Sequence, residues 1–295
     1  MGLHSFILHD GQIRRTASPE LSAGQVGVLS GWGVFTTLRI SSGFPFAWER
    51  HWARLVRDAK LINLAMPEPD VVYEDLLRLV EANGHPECTL RLAIVRNTGS
   101  MWQSPEAARK PVSVIALTAD SKAWSPAVRL GLQPHARFAG NEFAGAKLLS
   151  WAQNLTWAER AAAKGLDEVV LLNQHERVAE CTSANIFAVV GDEVFTPPIS
   201  DGCLPGITRE VLLQEIRLAG ITVSERSLKV EDLFGADEVF ITSTTRDLLP
   251  VREFDDRLLG TRSAVRERLN AAFQAFLAAD IAHRRTLAPA PSGTH

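Results

Sequence analysis

The chain has 295 residues, 46% hydrophobic and 22% charged, with a formal net charge of -3 at pH 7. That length allows one large or two medium domains whose cores need no cross-links. The slight negative charge gives no reason to expect a nucleic-acid or membrane partner.

Cys88, Cys181 and Cys203 are far apart and odd in number. They match neither a disulfide framework nor a zinc pattern, so no metal is expected and a reducing cytoplasm suits them. The opening MGLHSFILHDGQIRR lacks the apolar core of a signal peptide. No apolar run approaches the roughly 20 residues of a membrane span.

In chain order, residues 28–40 (VLSGWGVFTTLRI) predict a glycine turn and then a strand. Residues 49–64 predict a helix with Trp52, Leu55, Ala59 and Ile62 as its buried face, and residues 70–83 a second helix. LRLAIVRN (90–97) and VSVIALTA (112–119) are short, apolar and partly β-branched, as strands are. SKAWSP follows Asp120 as a linker, and VRLGLQ (128–133) predicts the next strand. A helix is expected from Leu148 to Gly165, with Trp151, Leu155, Ala158 and Ala162 on one side and Gly165 as its stop. EVVLLN, RVAECTSANIFAVVG and EVFTP are expected as strands, Thr208 to Gly220 as a helix, EVFITS (238–243) as a strand and 261–285 as a last helix. Mixed strands and helices in two halves imply an α/β fold with mixed sheets. The expected division is a small domain over 1–119, a linker over 120–127, a larger domain over 128–285 and a disordered tail, TLAPAPSGTH, over 286–295.

Several familiar motifs are absent: G-x-x-x-x-G-K-[ST], G-x-S-x-G and H-E-x-x-H. Lysine is scarce, and Lys147 has the least polar neighbours, Phe143-Ala144-Gly145-Ala146 before it and Leu148-Leu149 after it. Desolvation lowers the pKa of an amine, which is what a Schiff-base lysine needs. The competing reading is a surface lysine opening a helix, and local sequence alone favours it. Glu180 lies in the apolar stretch RVAECTSANIF and needs a partner if buried. An edge-strand glutamate facing water is an equal alternative.

GCLPGITRE (202–210) combines a tight turn with Thr208, which can cap the helix that follows, and free N–H groups at that helix start would hold a phosphate. Ser243-Thr244-Thr245 ends a strand and could face the same anion. Each is ordinary turn chemistry alone. With Lys147 and Glu180 they supply what pyridoxal 5'-phosphate requires: a lysine for the aldehyde, an acid for the pyridine nitrogen and donors for the phosphate.

The order Lys147, LDEVVLL, VAECTSANIF, FTPP, LPGITRE, ADEVF, ITSTTRDLLPV, preceded by GVFTTLR and RHWAR, resembles the class IV (fold type IV) pyridoxal-phosphate enzymes. These include branched-chain aminotransferases, D-amino-acid aminotransferases and aminodeoxychorismate lyases. The resemblance covers roughly residues 25–275. It implies that Lys147 forms the internal aldimine and moves the proton between the substrate α-carbon and the cofactor C4′. Glu180 would pair with the pyridine nitrogen. Arg54, in the H-x-x-R-L pattern of His51 to Leu55, would bind the phosphate with Ile207, Thr208, Thr244 and Thr245. Arg209 would cap or pair locally. Phe35, Thr37 and Arg39 match pocket positions and alternate along a strand, so they point the same way. Arg39 is open between a substrate carboxylate and a structural ion pair. Thr89 falls near another pocket position, and Arg91 matches an arginine of the branched-chain enzymes. Arg91 and Arg96 stand on opposite faces of their strand, so at most one faces the pocket.

The chain departs from its relatives in having a single tyrosine, Tyr73. Branched-chain and D-amino-acid enzymes line their pockets with several. RNTGSMWQ also lacks the Arg-x-His carboxylate trap of the D-amino-acid type. FTT at 35–37 and E-C-x-x-A-N at 180–185 look more like the lyases. The expected activity is amino-group transfer between an amino acid or amine and a 2-keto acid, in a cytoplasmic homodimer. Aminodeoxychorismate lyase, forming 4-aminobenzoate and pyruvate, is the runner-up, and a cofactor-less scaffold is a third reading.

Overall fold

The computed structural model describes residues 2–17, 24–260 and 262–287. Its first half contains β1 (Leu3–His9), β2 (Gln12–Arg15), α1 (Val26–Ser30), β3 (Gly33–Ser41), β4 (Phe44–Pro45), α2 (Trp48–Leu61), α3 (Pro69–Asn83), β5 (Cys88–Arg96) and β6 (Val112–Ala119). The six strands pair antiparallel in the order β2-β1-β6-β5-β3-β4. Strict alternation explains the layering. Leu90, Leu92 and Ile94 of β5 join Val34, Leu38 and Ile40 of β3 in a core with α2 and α3. Their neighbours, Thr89 and Arg91 on β5 and Phe35 and Thr37 on β3, face the other way and line a cavity.

The second half contains β7 (Val128–Arg137), α4 (Ala152–Ala163), β8 (Glu168–Asn173), β9 (Val178–Cys181), β10 (Asn185–Val190), β11 (Glu193–Thr196), α5 (Ile207–Gln214), β12 (Thr222–Glu225), α6 (Val230–Phe234), β13 (Glu238–Ser243), β14 (Asp247–Phe254), β15 (Arg257–Leu258) and α7 (Ala264–Leu287). Its mixed sheet runs β12-β11-β10-β13-β14-β7-β8-β9, with β15 on β14. The run NIFAVV is apolar without alternation because both faces are covered. Ile186 and Ala188 enter one core with Val170, Ile241 and Val251. Phe187 and Val189 enter another with α5 and α7. Phe46 and Ala47, from the first half, complete that second core. The Ala47 N–H donates to Asp280 at 2.9 Å, and Arg284 of α7 pairs with Glu49 at 2.5 Å. The cavity therefore lies between two halves that are packed and ion-paired to each other through α2 and α7.

Several sequence expectations are corrected. Residues 28–30 belong to α1, and residues 3–15, for which no element was expected, form a hairpin. Helix α4 starts at Ala152, not Leu148, because Leu148 bridges Val34 and the Leu149 N–H bonds to Gly33 O at 2.9 Å. Its buried face is Asn154, Trp157 and Ala161, and Leu155 is 62% exposed. Helix α5 ends at Gln214, well before Gly220. Thr208 does not cap it: Gly206 is the N-cap and no side chain bonds there. Helix α7 continues to Leu287, into the expected tail, whose residues 288–295 lie outside the described residues. Among the described residues, no helix is long and apolar enough to cross a membrane.

Candidate active site

Lys147 is half-buried and not on a helix, which corrects the reading of it as a lysine opening a helix. Its N–H donates to Asp58 Oδ2 at 3.0 Å and its carbonyl accepts the Phe35 N–H at 3.1 Å. Two residues earlier, Gly145 has φ of 72°, and a Cβ there would lie 2.5 Å from the Cys203 carbonyl oxygen. Glycine alone fits, so the chain can turn and press against β3. The amine then stands 4.5 Å from the Phe35 ring centre and 4.6 Å from that of Trp151. Burial pushes its pKa down to about 7, helped by the charges of Arg54 and Arg91 and opposed by Glu180 and Asp58. The amine is thus poised between its neutral and charged forms near neutral pH.

It borders a cavity of about 400 Å³ between the two sheets. Glu180 also lines it, and is 6% exposed although β9 is an edge strand. The edge position therefore does not expose the side chain. Oε1 of Glu180 accepts from Arg137 Nε at 3.1 Å, and Oε2 accepts from the Leu204 N–H at 3.0 Å.

The same cavity carries a candidate anion cup. Ile207 and Thr208, the first residues of α5, line it with Thr244 and Thr245 of the β13–β14 turn. Thr208 Oγ1 and Ser243 Oγ are buried without a hydrogen-bond partner among the described residues. Arg54 NH2 donates to Thr36 Oγ1 at 2.9 Å and NH1 to the Pro205 carbonyl at 3.2 Å. Burial lowers its pKa to about 10, so the guanidinium stays charged at neutral pH. A cation, orphaned hydroxyls and a helix N-terminus together suit a phosphate dianion. At Gly206 a Cβ would collide with Asn185 Oδ1, so only glycine admits this approach. Arg209 faces elsewhere, pairing with Glu225 and the Pro197 carbonyl.

The pattern of the family Amino-transferase class IV matches residues 33–254. The chain belongs to the class IV aminotransferases. It is 30% identical over 246 residues to a Methanocaldococcus jannaschii protein provisionally named a branched-chain-amino-acid aminotransferase, covering 82% of this chain and 85% of that one. It is 26% identical over 274 residues to the D-alanine aminotransferase of Bacillus licheniformis, covering 86% and 90%. In fold it is similar to the branched-chain amino acid aminotransferase of T.th. solved with pyridoxamine 5'-phosphate. That likeness has a TM-score of 0.83 at 24% identity and covers 94% of this chain and 95% of the other. Class IV aminotransferases use pyridoxal phosphate, and the fold is fold type IV. The lysine, acid and phosphate donors of this aminotransferase fit that cofactor.

Of the expected pocket residues, Phe35, Thr37, Thr89 and Arg91 line the cavity, with the Arg91 guanidinium 4.5 Å from the Phe35 ring centre. Two others stand outside it. Arg39 shares the Phe35 face but pairs with Asp247 at 2.7 Å. Arg96 is held by the carbonyls of Thr98 and Asn63 at 2.8 and 2.7 Å and lies over Trp32. Tyr73 packs on Trp48 within the first-half core, so no tyrosine lines the cavity.

The sequence reading missed His51, Asp58, Arg137, Lys122 and Trp124. His51, Arg54 and Asp58 are all buried on α2. Their spacing of three and four is helical, so one polar stripe beside the apolar one was a usable signal. The His51 ring, neutral because burial and then Arg54 and Lys147 hold its pKa well below the usual value, bonds Thr36 Oγ1 at 2.6 Å. Lys122 and Trp124 sit in the expected linker, yet both line the cavity. No local pattern marks them or Arg137.

Proposed function

We propose that Lys147 carries the cofactor and the reacting proton of a transaminase. The observation that carries this reading is the Lys147 amine, depressed to about 7, sharing one cavity with Glu180 and the anion cup. Arg54, Ile207, Thr208, Thr244 and Thr245 hold the phosphate, and Glu180 holds the ring nitrogen. Pyridoxal phosphate, when bound, supplies an electron sink that acidifies the substrate α-hydrogen.

The chain's own residues do the rest. Phe35 and Trp151 set apolar rings beside the Lys147 Nζ, which favours the neutral amine that takes and returns a proton at the α-carbon. Arg91, free to meet an anion in the cavity, binds the substrate carboxylate. Lys122 and Trp124 complete the cavity wall from the segment between β6 and β7. The substrates are an amino donor and a 2-keto acid.

We extend the proposal to assembly. Leu29, Phe138, Leu155 and Trp102 are 64%, 63%, 62% and 71% exposed, which leaves large apolar side chains available to a second copy. This supports a homodimer. Three buried free cysteines support a cytoplasmic setting. The two sheets correspond to two domains joined over 120–127.

The test is direct. Purified protein given pyridoxal phosphate should turn yellow, and borohydride should then fix the cofactor on Lys147 in a peptide map. A protein that stays colourless sinks the reading. Keto-acid-dependent amino transfer across a panel of donors in both enantiomers identifies the substrate. Pyruvate release from aminodeoxychorismate without any transfer would instead establish a lyase, the reading that a cavity without tyrosine favours.

A further inference from the structure

Arg137 ends β7 with its guanidinium turned to Glu180. Its Nε donates to Glu180 Oε1 at 3.1 Å while NH2 donates to Asn154 Oδ1 at 3.1 Å. Asn154, buried on α4, is fixed in turn by its own bond to the Thr182 carbonyl at 2.6 Å. The Trp157 ring centre lies 5.6 Å from the guanidinium carbon. The side chains of Arg137 and Glu180 are 14% and 8% exposed. Arg137 is not part of the cavity wall, whereas Glu180 is. Whatever Arg137 does for the reaction, it does through Glu180.

We propose that Arg137 is a positioning residue: it aims the Glu180 carboxylate at the cofactor's ring nitrogen and, by its charge, limits how tightly that carboxylate holds the ring proton. The proposal rests on the assignment of Glu180 to the ring nitrogen. A carboxylate has about four lone-pair directions. The Arg137 Nε takes one on Oε1 and the Leu204 N–H takes one on Oε2. The carboxylate plane is thereby fixed, with its remaining directions available to the cavity. Only an arginine can do this while also holding Asn154, because its planar fork presents two donors at a set angle. A lysine would offer the charge without the fork. Removing one partner of a buried pair leaves the other charge buried and loose, so the effect reaches Glu180 first.

The experiment compares wild type, Arg137→Met, Arg137→Lys and Glu180→Gln. Three quantities are read: the dissociation constant of pyridoxal phosphate, the pH midpoint of the bound cofactor's visible absorbance, and the melting temperature without cofactor. Arg137→Met should weaken cofactor binding about tenfold, the size expected when a ligand's orienting partner is removed. It should also raise the midpoint by on the order of one pH unit, because a positive charge near the ring is gone. Arg137→Lys should restore the midpoint and only part of the affinity. An arginine with a purely structural role would lower the melting temperature and leave the midpoint where it was, which overturns the proposal. If Glu180→Gln itself changes neither affinity nor midpoint, the Glu180 assignment falls. If Glu180→Gln shifts both and Arg137→Met does not move the midpoint, the Arg137 proposal alone falls.

Discussion

The carboxylate of Asp58 accepts the backbone N–H of Lys147 at 3.0 Å. Asp58 is fully buried on α2, and its other oxygen takes Arg57 Nε at 2.8 Å. The helix that presents Arg54 to the candidate anion cup thus also anchors the backbone of Lys147. Asp58→Ala would leave that N–H without its acceptor, at a cost of about 1–3 kcal/mol. Urea unfolding should show that loss, and kcat should fall more than KM changes. Asp58→Asn keeps an acceptor oxygen and should recover most of both. Equal damage from the two variants would mean that charge, not the backbone bond, matters.

The low Lys147 pKa sets a pH dependence for cofactor capture. Only the neutral amine attacks an aldehyde, so the rate of reconstitution should rise through a midpoint at about 7 and level off above it. Arg91 is one of the cations holding the amine down. Arg91→Ala should move the midpoint upward, measured by stopped-flow absorbance. A midpoint near that of an ordinary lysine, about 10.4, would show that the cavity does not desolvate the amine.

His51 links pH to stability. Its folded pKa is depressed, so its contribution is complete above the unfolded value of about 6.5 and is lost as pH falls below it. The slope is at most about 1.4 kcal/mol per pH unit from this one group. Urea unfolding between acid and neutral pH should show it. His51→Asn should flatten that acid limb, and an unchanged limb would remove His51 as its source.

Gly206 tests the anion cup by sterics alone. Its φ of −70° suits alanine, yet a Cβ would run into Asn185 Oδ1. Gly206→Ala should therefore shift the start of α5 and weaken pyridoxal phosphate at least about tenfold, roughly 1.4 kcal/mol. A fluorescence titration of the apo protein measures this. Unaltered affinity would mean that the cup tolerates a displaced helix start.

By itself the sequence determined the secondary elements with strong periodicity and the chemistry of the parts. Alternation placed Phe35 and Thr37 on one face of β3, and the ordered motifs around Lys147, Glu180 and Thr208 pointed to one cofactor. Those signals are local, because a strand's two faces and a helix's stripe are written in neighbouring residues. Tertiary structure decided what depends on distant partners. Leu148 and Leu149 look helical, yet they pair with Val34 and Gly33 of β3. Arg39 shares a face with Phe35, but Asp247, remote in sequence, takes its charge. The Lys147 amine looked like a surface group until two aromatic rings and two arginines were brought around it. Desolvation and ion pairing act through space, so the lowered pKa of that amine is a property of the folded chain.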